Sequence, residues 1–170
     1  MQTEDRHMII NELPLGMPGS VFVGPMPFGY FDPDGKALDD FKSKSVSVIV
    51  FLVEEYEYKN YTGMDLCKFY KEEGFDIIHY PLRDFSVPEN GFFDSVVEKI
   101  IELANDNNNV AIHCHAGLGR AGMLAGLLVM RVLGLPAMEA IDWLRKYVPD
   151  ALPASDQMQY LIKNDASVTD

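Results

Sequence analysis

Eight consecutive residues, His113-Cys-His-Ala-Gly-Leu-Gly-Arg120, bring a sulfur, two glycines and a guanidinium into one short stretch. A cysteine attacks only as its thiolate, and a thiolate is favoured where backbone N–H groups and the positive end of a helix converge on it. Gly117 and Gly119 permit the left-handed or crowded backbone angles that turn successive N–H groups toward one point. Arg120 adds a planar fork of donors that matches two oxygens of a phosphate. Nucleophile, anion cradle and clamp at this spacing describe hydrolysis of a phosphate ester through a phosphocysteine. Cys114 would attack, Arg120 would grip the phosphate, and His115, Ala116, Gly117, Leu118 and Gly119 would wrap it.

Such a loop needs a strand before it and a helix N-terminus after it. Residues 110–113 are an apolar strand pattern, and 119–133 read as a strongly apolar helix. Further strands are expected over 21–24, over the almost entirely apolar, β-branched-rich run 46–53 and over 76–80, the last stopped by Pro81. Helices are expected over 36–44, 64–73 (closed by Gly74), 92–104, 137–147 and 155–163, with Ser155 as the N-cap of the last. The tyrosine-rich stretch between 54 and 63 reads as a loop. Strands alternating with helices imply an α/β fold, with a central, mostly parallel sheet of four to five strands and helices on both faces. At 170 residues the chain is a single domain over 1–170, with its core at about 20–164.

The pattern His-Cys-x-x-Gly-x-x-Arg resembles the signature of cysteine-based protein tyrosine phosphatases. From 21 to 162 the chain is similar to their small dual-specificity members, of the bacterial, archaeal and cyclin-dependent-kinase-inhibitor-associated types, with looser likeness at 21–25 and 52–55. The resemblance implies an aspartate about thirty residues before the cysteine that protonates the leaving oxygen and then activates water. Asp84, in Tyr80-Pro-Leu-Arg-Asp-Phe-Ser-Val-Pro88, is the matching residue; Asp76 is the next candidate but opens a strand. It also implies that Gln157 positions the attacking water. His113, at the end of its strand, is expected to bond loop backbone and fix the cysteine. A zinc site from His79, His113, Cys114 and His115 is weighed and set aside, because adjacent residues of one strand-to-loop run do not converge on a tetrahedral ion. No metal or cofactor is expected.

The sequence departs from the family twice. Ala121 stands where a Ser or Thr hydroxyl normally supports the departing sulfur, which predicts a slow second step and a burst of product. Val148-Pro149-Asp150 replaces the usual Arg-Pro-Gly, so that support of the phosphate loop is missing from its usual place.

The resemblance implies a phosphorylated protein or peptide as partner, with phosphotyrosine accepted and phosphoserine or phosphothreonine open. The longer tyrosine-specific enzymes carry a Lys-Asn-Arg-Tyr type motif that Tyr58-Lys-Asn-Tyr61 only superficially matches, which argues for a shallower cleft. Ala116 and Leu118 occupy places where lipid phosphatases often carry lysines; His115 leaves an opening for inositol phosphates or phosphoinositides. Competing readings are a phosphate-binding, pseudophosphatase-like interaction module and a rhodanese-like or arsenate-reducing enzyme. Intact Cys114, Arg120 and Asp84 argue against the first, and the His-Cys opening and the late cysteine against the second.

A formal charge of −12 disfavours nucleic acid and anionic membrane surfaces as partners. With 48% hydrophobic and 24% charged residues the chain has the composition of a folded domain. Two cysteines, a start without a basic-then-apolar leader pattern, and a longest apolar stretch confined to 121–130 make the cytoplasm the expected compartment.

Overall fold

The structure, a computed structural model, describes residues 7–165. Its sheet contains the strands Asn11–Leu13 (β1), Val21–Gly24 (β2), Val48–Phe51 (β3), Asp76–His79 (β4) and Val110–His113 (β5), in the order β1-β2-β5-β3-β4. β2, β5, β3 and β4 run parallel, and β1 is antiparallel to β2. Alternation along the apolar runs feeds two cores. Val48, Val50 and Leu52 face one, and Ile49, Phe51 and Val53 the other.

The first core is closed by Asp94–Asn105 (α4), Arg120–Leu133 (α5), Ala137–Tyr147 (α6) and Ser155–Lys163 (α7). The second is closed by Lys36–Ser43 (α1), Glu55–Thr62 (α2) and Leu66–Glu72 (α3). A mostly parallel sheet covered on both faces is the architecture expected from the sequence. The loops that follow β2, β3, β4 and β5 therefore meet at one edge, the carboxyl end of the parallel strands, where open α/β sheets bind ligands.

Two elements differ from expectation. β1 is three residues long and contains Glu12, too short and too polar to register as a pattern; Leu13 alone is buried. The stretch expected as a tyrosine-rich loop is α2, of which only Glu57 and Tyr58 are buried. Its N-terminus is held by Glu54 and Glu57, whose side chains reciprocally accept backbone N–H groups, and its end by Gly63 at φ 71°. The N-cap of α7 is Ala154 rather than Ser155, and the Gln157 carboxamide oxygen accepts the Ala154 N–H at 3.3 Å.

Candidate active site

The turn from β5 into α5 is fixed by its neighbours. Gly117 has φ 83° and lies so close to the end of β2 that a Cβ there would come within 2.5 Å of the Gly24 carbonyl oxygen. The His115 carbonyl accepts the Met26 N–H at 3.0 Å, and the Leu118 carbonyl accepts the Leu152 N–H at 2.9 Å. Both carbonyls are thus taken up by backbone partners, which is what a loop whose N–H groups converge on one point requires. Support that the sequence places nowhere obvious comes from Arg145 of α6, which donates to the carbonyls of Ala151 and Leu152 at 3.0 Å each. That brace stabilises the segment opposite the loop in place of an Arg-Pro-Gly turn.

Arg120 begins α5 and is 1% exposed. Its Nη1 donates to Glu57 Oε1 at 2.7 Å and to the Leu82 carbonyl at 2.9 Å, and its Nη2 donates to Glu57 Oε2 at 2.9 Å. Burial works against the guanidinium charge, but the Glu57 hydrogen bonds and the nearby acidic groups outweigh it and raise the pKa, so the group is cationic. Nε is buried with no hydrogen-bond partner among the described residues, and Nη2, with a second N–H beyond its bond to Glu57, lies 3.4 Å from Asp84 Oδ1. A fixed cation with an unpartnered donor thus lines the same cleft as Cys114, an arrangement whose chemistry suits an anion. Glu57 was not among the residues that the sequence singled out. Its one signal was the Glu54/Glu57 spacing of a helix start, hidden in a stretch without an apolar stripe.

Asp84 follows β4 in the loop anchored by Leu82, whose N–H donates to the Leu52 carbonyl at 2.9 Å. Its Oδ1 accepts the Phe85 N–H at 2.9 Å and lies 3.4 Å from Arg120 Nη2. Phe85 has φ 59°, an uncommon backbone for a bulky residue, at the position that aims the aspartate. Asp84 thus reaches the cleft that Cys114, Arg120 and Gln157 line, whereas Asp76 opens β4 at the far end of the strand. The Gln157 amide rests against Gly119, where a Cβ would meet its Nε2 at 2.7 Å.

His113 is fully buried, and burial pushes its pKa down to about 4. Its Nδ1 donates to the Cys114 carbonyl at 2.9 Å, which leaves Nε2 to accept from the Tyr70 hydroxyl at 2.8 Å. A neutral ring with both nitrogens engaged holds the backbone of the cysteine. Since neither nitrogen is free, His113 is neither a base nor a metal ligand. His79 Nε2 donates to the Val53 carbonyl at 2.7 Å, away from the turn between β5 and α5, so the four residues considered for zinc do not come together. A different trio, Glu57, Asp84 and His115, brings one ligand atom each within 4.8 Å of one another. Both Glu57 oxygens are held by Arg120, and that guanidinium stands where a cation would have to approach.

The cleft has a volume of about 590 Å³. Residues 30–166 match the family described as dual specificity phosphatase, catalytic domain. The tyrosine-protein phosphatase cdc-14 of Caenorhabditis elegans is 37% identical over 137 residues, 80% of this chain and 17% of that protein. Cyclin-dependent kinase inhibitor 3 of Mus musculus is 27% identical over 110 residues, 65% of this chain and 52% of that protein. The chain therefore spans about half or less of the length of these relatives. Among solved structures, Tk-PTP in its active form superposes with a TM-score of 0.73 at 27% identity, over 87% of this chain and 92% of that one. Kinase associated phosphatase with its catalytic cysteine changed to serine gives 0.80 at 22% identity, over 93% and 94%, a likeness of fold.

Proposed function

Because the chain belongs to the dual specificity phosphatase catalytic-domain family, we propose that it hydrolyses phosphate monoesters on proteins in two steps through Cys114. In the first, Cys114 Sγ forms a bond to phosphorus as the ester P–O bond breaks, and Asp84 gives its proton to the departing oxygen. In the second, water attacks phosphorus, Asp84 takes its proton, the S–P bond breaks, and inorganic phosphate leaves with the thiolate restored. Arg120 binds the equatorial oxygens, and Gln157 orients the water. The observation that carries this reading is the guanidinium of Arg120, immobilised by Glu57, with its buried Nε unpartnered, in a residue that lines the same cleft as Cys114. Two free cysteines, one of them a nucleophile that must remain reduced, support placement in a reducing, cytoplasmic compartment.

Asp84→Asn keeps the shape of the side chain and removes the transferable proton. On p-nitrophenyl phosphate, whose leaving group needs little protonation, kcat is expected to fall by about a hundredfold, the low end for a general acid. The decline in rate at alkaline pH should disappear with it. A variant profile parallel to that of the wild type would reassign the acid.

Ala121 is fully buried and carries no hydroxyl to stabilise the departing sulfur. Rapid mixing with p-nitrophenyl phosphate should therefore show a burst of about one equivalent of nitrophenol followed by slow turnover. Ala121→Ser should raise the steady-state rate severalfold and shrink the burst. An unchanged steady-state rate would mean that dephosphorylation is not limited at this position.

A further inference from the structure

A second sulfur lies outside the cleft, beside a base and a hydroxyl. Cys67 of α3 is half-buried and forms no disulfide. Its Sγ is 3.9 Å from Nδ1 of His79, the last residue of β4, and 3.9 Å from the hydroxyl of Tyr58 on α2. None of these three residues lines the cleft that holds Cys114.

The partners fix where the hydrogens lie. A carbonyl only accepts, so the 2.7 Å contact between His79 Nε2 and the Val53 carbonyl places the ring proton on Nε2. In the neutral ring Nδ1 is then a bare acceptor, and the Cys67 thiol donates to it. The Tyr58 hydroxyl in turn donates to Sγ. Burial, and after it the hydrogen bond with Cys67, hold the Tyr58 phenol well above its usual pKa, so it keeps its proton and remains a donor. The imidazole is held in place by more than Val53. It stacks on Phe51 at 4.5 Å and meets Tyr58 edge-on at 5.9 Å. A nucleophile within reach of a base, with the base oriented by a third group, is the arrangement that activates a weak nucleophile. A cysteine serving only as a small apolar residue has no use for either contact.

We propose that Cys67 is a reversible modification site that exchanges with low-molecular-weight disulfides, with His79 as its base. The step needs no oxidant beyond the disulfide itself. As Sγ attacks one sulfur of the disulfide, its proton passes to His79 Nδ1. The new S–S bond forms on Cys67, the old one breaks, and the departing thiolate takes the proton back from Nδ1. One free thiol leaves for each cap installed, and an excess of thiol reverses the exchange. The formal charge of −12 repels anionic disulfides and favours a cationic one, such as the aminothiol disulfide cystamine.

Cystamine is added to the Cys114→Ser protein, in which Cys67 is the one remaining cysteine, and intact mass follows the gain of one half-cystamine. The folded chain is expected to be capped at least about tenfold faster than the same chain in denaturing guanidinium, where the thiol has no base beside it. His79→Gln, which keeps a donor for Val53 and lacks the basic nitrogen, should lose that advantage when folded and match its parent when denatured. Tyr58→Phe, which keeps the ring, should slow the folded reaction severalfold. Dithiothreitol should return the original mass, and Cys67→Ser in this background should take no cap. A folded rate no higher than the denatured one, or a His79→Gln chain capped as fast as its parent, would overturn the proposal. Phosphatase activity enters none of these measurements, so the role of Cys114 stands or falls separately.

Discussion

Cys114→Ser is expected to abolish hydrolysis of p-nitrophenyl phosphate, a fall of at least about 10⁴-fold in kcat, while phosphopeptide binding survives. The substitution changes one atom and keeps the loop, since the backbone at this position is held by the His113 ring and by the contacts of His115 and Leu118 rather than by the sulfur. What it removes is the thiolate. A serine hydroxyl is an effective nucleophile only with a neighbouring base to take its proton, and the surroundings supply none. Both nitrogens of His113 are engaged, with the Cys114 carbonyl and the Tyr70 hydroxyl. His115 Nε2 accepts the Tyr30 N–H, and its ring packs against Phe31 edge-on and Tyr61 at a tilt. Asp84, the remaining candidate, lies 3.4 Å from the Arg120 guanidinium and is committed to the leaving oxygen. Rapid-quench measurement with a ³²P-labelled substrate should trap no covalent phosphoenzyme in the variant. An unimpaired rate would remove the phosphocysteine mechanism altogether.

The parts of this site that are local in the chain are legible in the sequence, and the parts assembled across it are not. The strand, the two glycines and Arg120 follow one another, so their geometry is written in a single stretch; Gly117 is there because the loop must press against the Gly24 carbonyl. The two-sided burial of β3 is visible as an unbroken apolar run rich in β-branched residues. Asp84 can be located by its distance from the cysteine, but its aim depends on the left-handed backbone of Phe85, which no pattern announces in a residue with a large ring. α2 escapes because amphipathic periodicity is the signal for a helix, and here only two adjacent positions are buried; the helix is held by its end caps and by the pairing of Glu57 with a residue sixty-three positions away. The brace from Arg145 and the ring cluster on His115 are likewise products of the fold.

Glu57→Ala should damage stability and catalysis together. Glu57 and Arg120 are 4% and 1% exposed and form a two-pronged ion pair. Removing one member of a buried pair leaves a charge without a partner and typically costs about 3–5 kcal/mol, which for a domain of this size lowers Tm by about 6–20 °C. Activity falls for a separate reason. Without Glu57 the guanidinium has Asp84 as its nearest acidic neighbour, already 3.4 Å away, and closing that gap would displace the clamp and occupy the acid at once. A misplaced clamp and a sequestered general acid together predict a loss in kcat/KM on the order of 10³-fold. Glu57→Gln retains one acceptor for the guanidinium and should lie between the two. Thermal denaturation alongside steady-state kinetics separates the effects: if the rate lost tracks only the fraction unfolded, Glu57 is structural and the clamp does not need it. A buried ion pair is a poor way to gain stability, because well-packed apolar residues of the same volume often do as well or better. Its presence behind the cleft-lining Arg120 is accounted for if the fold tolerates that cost to keep one guanidinium still.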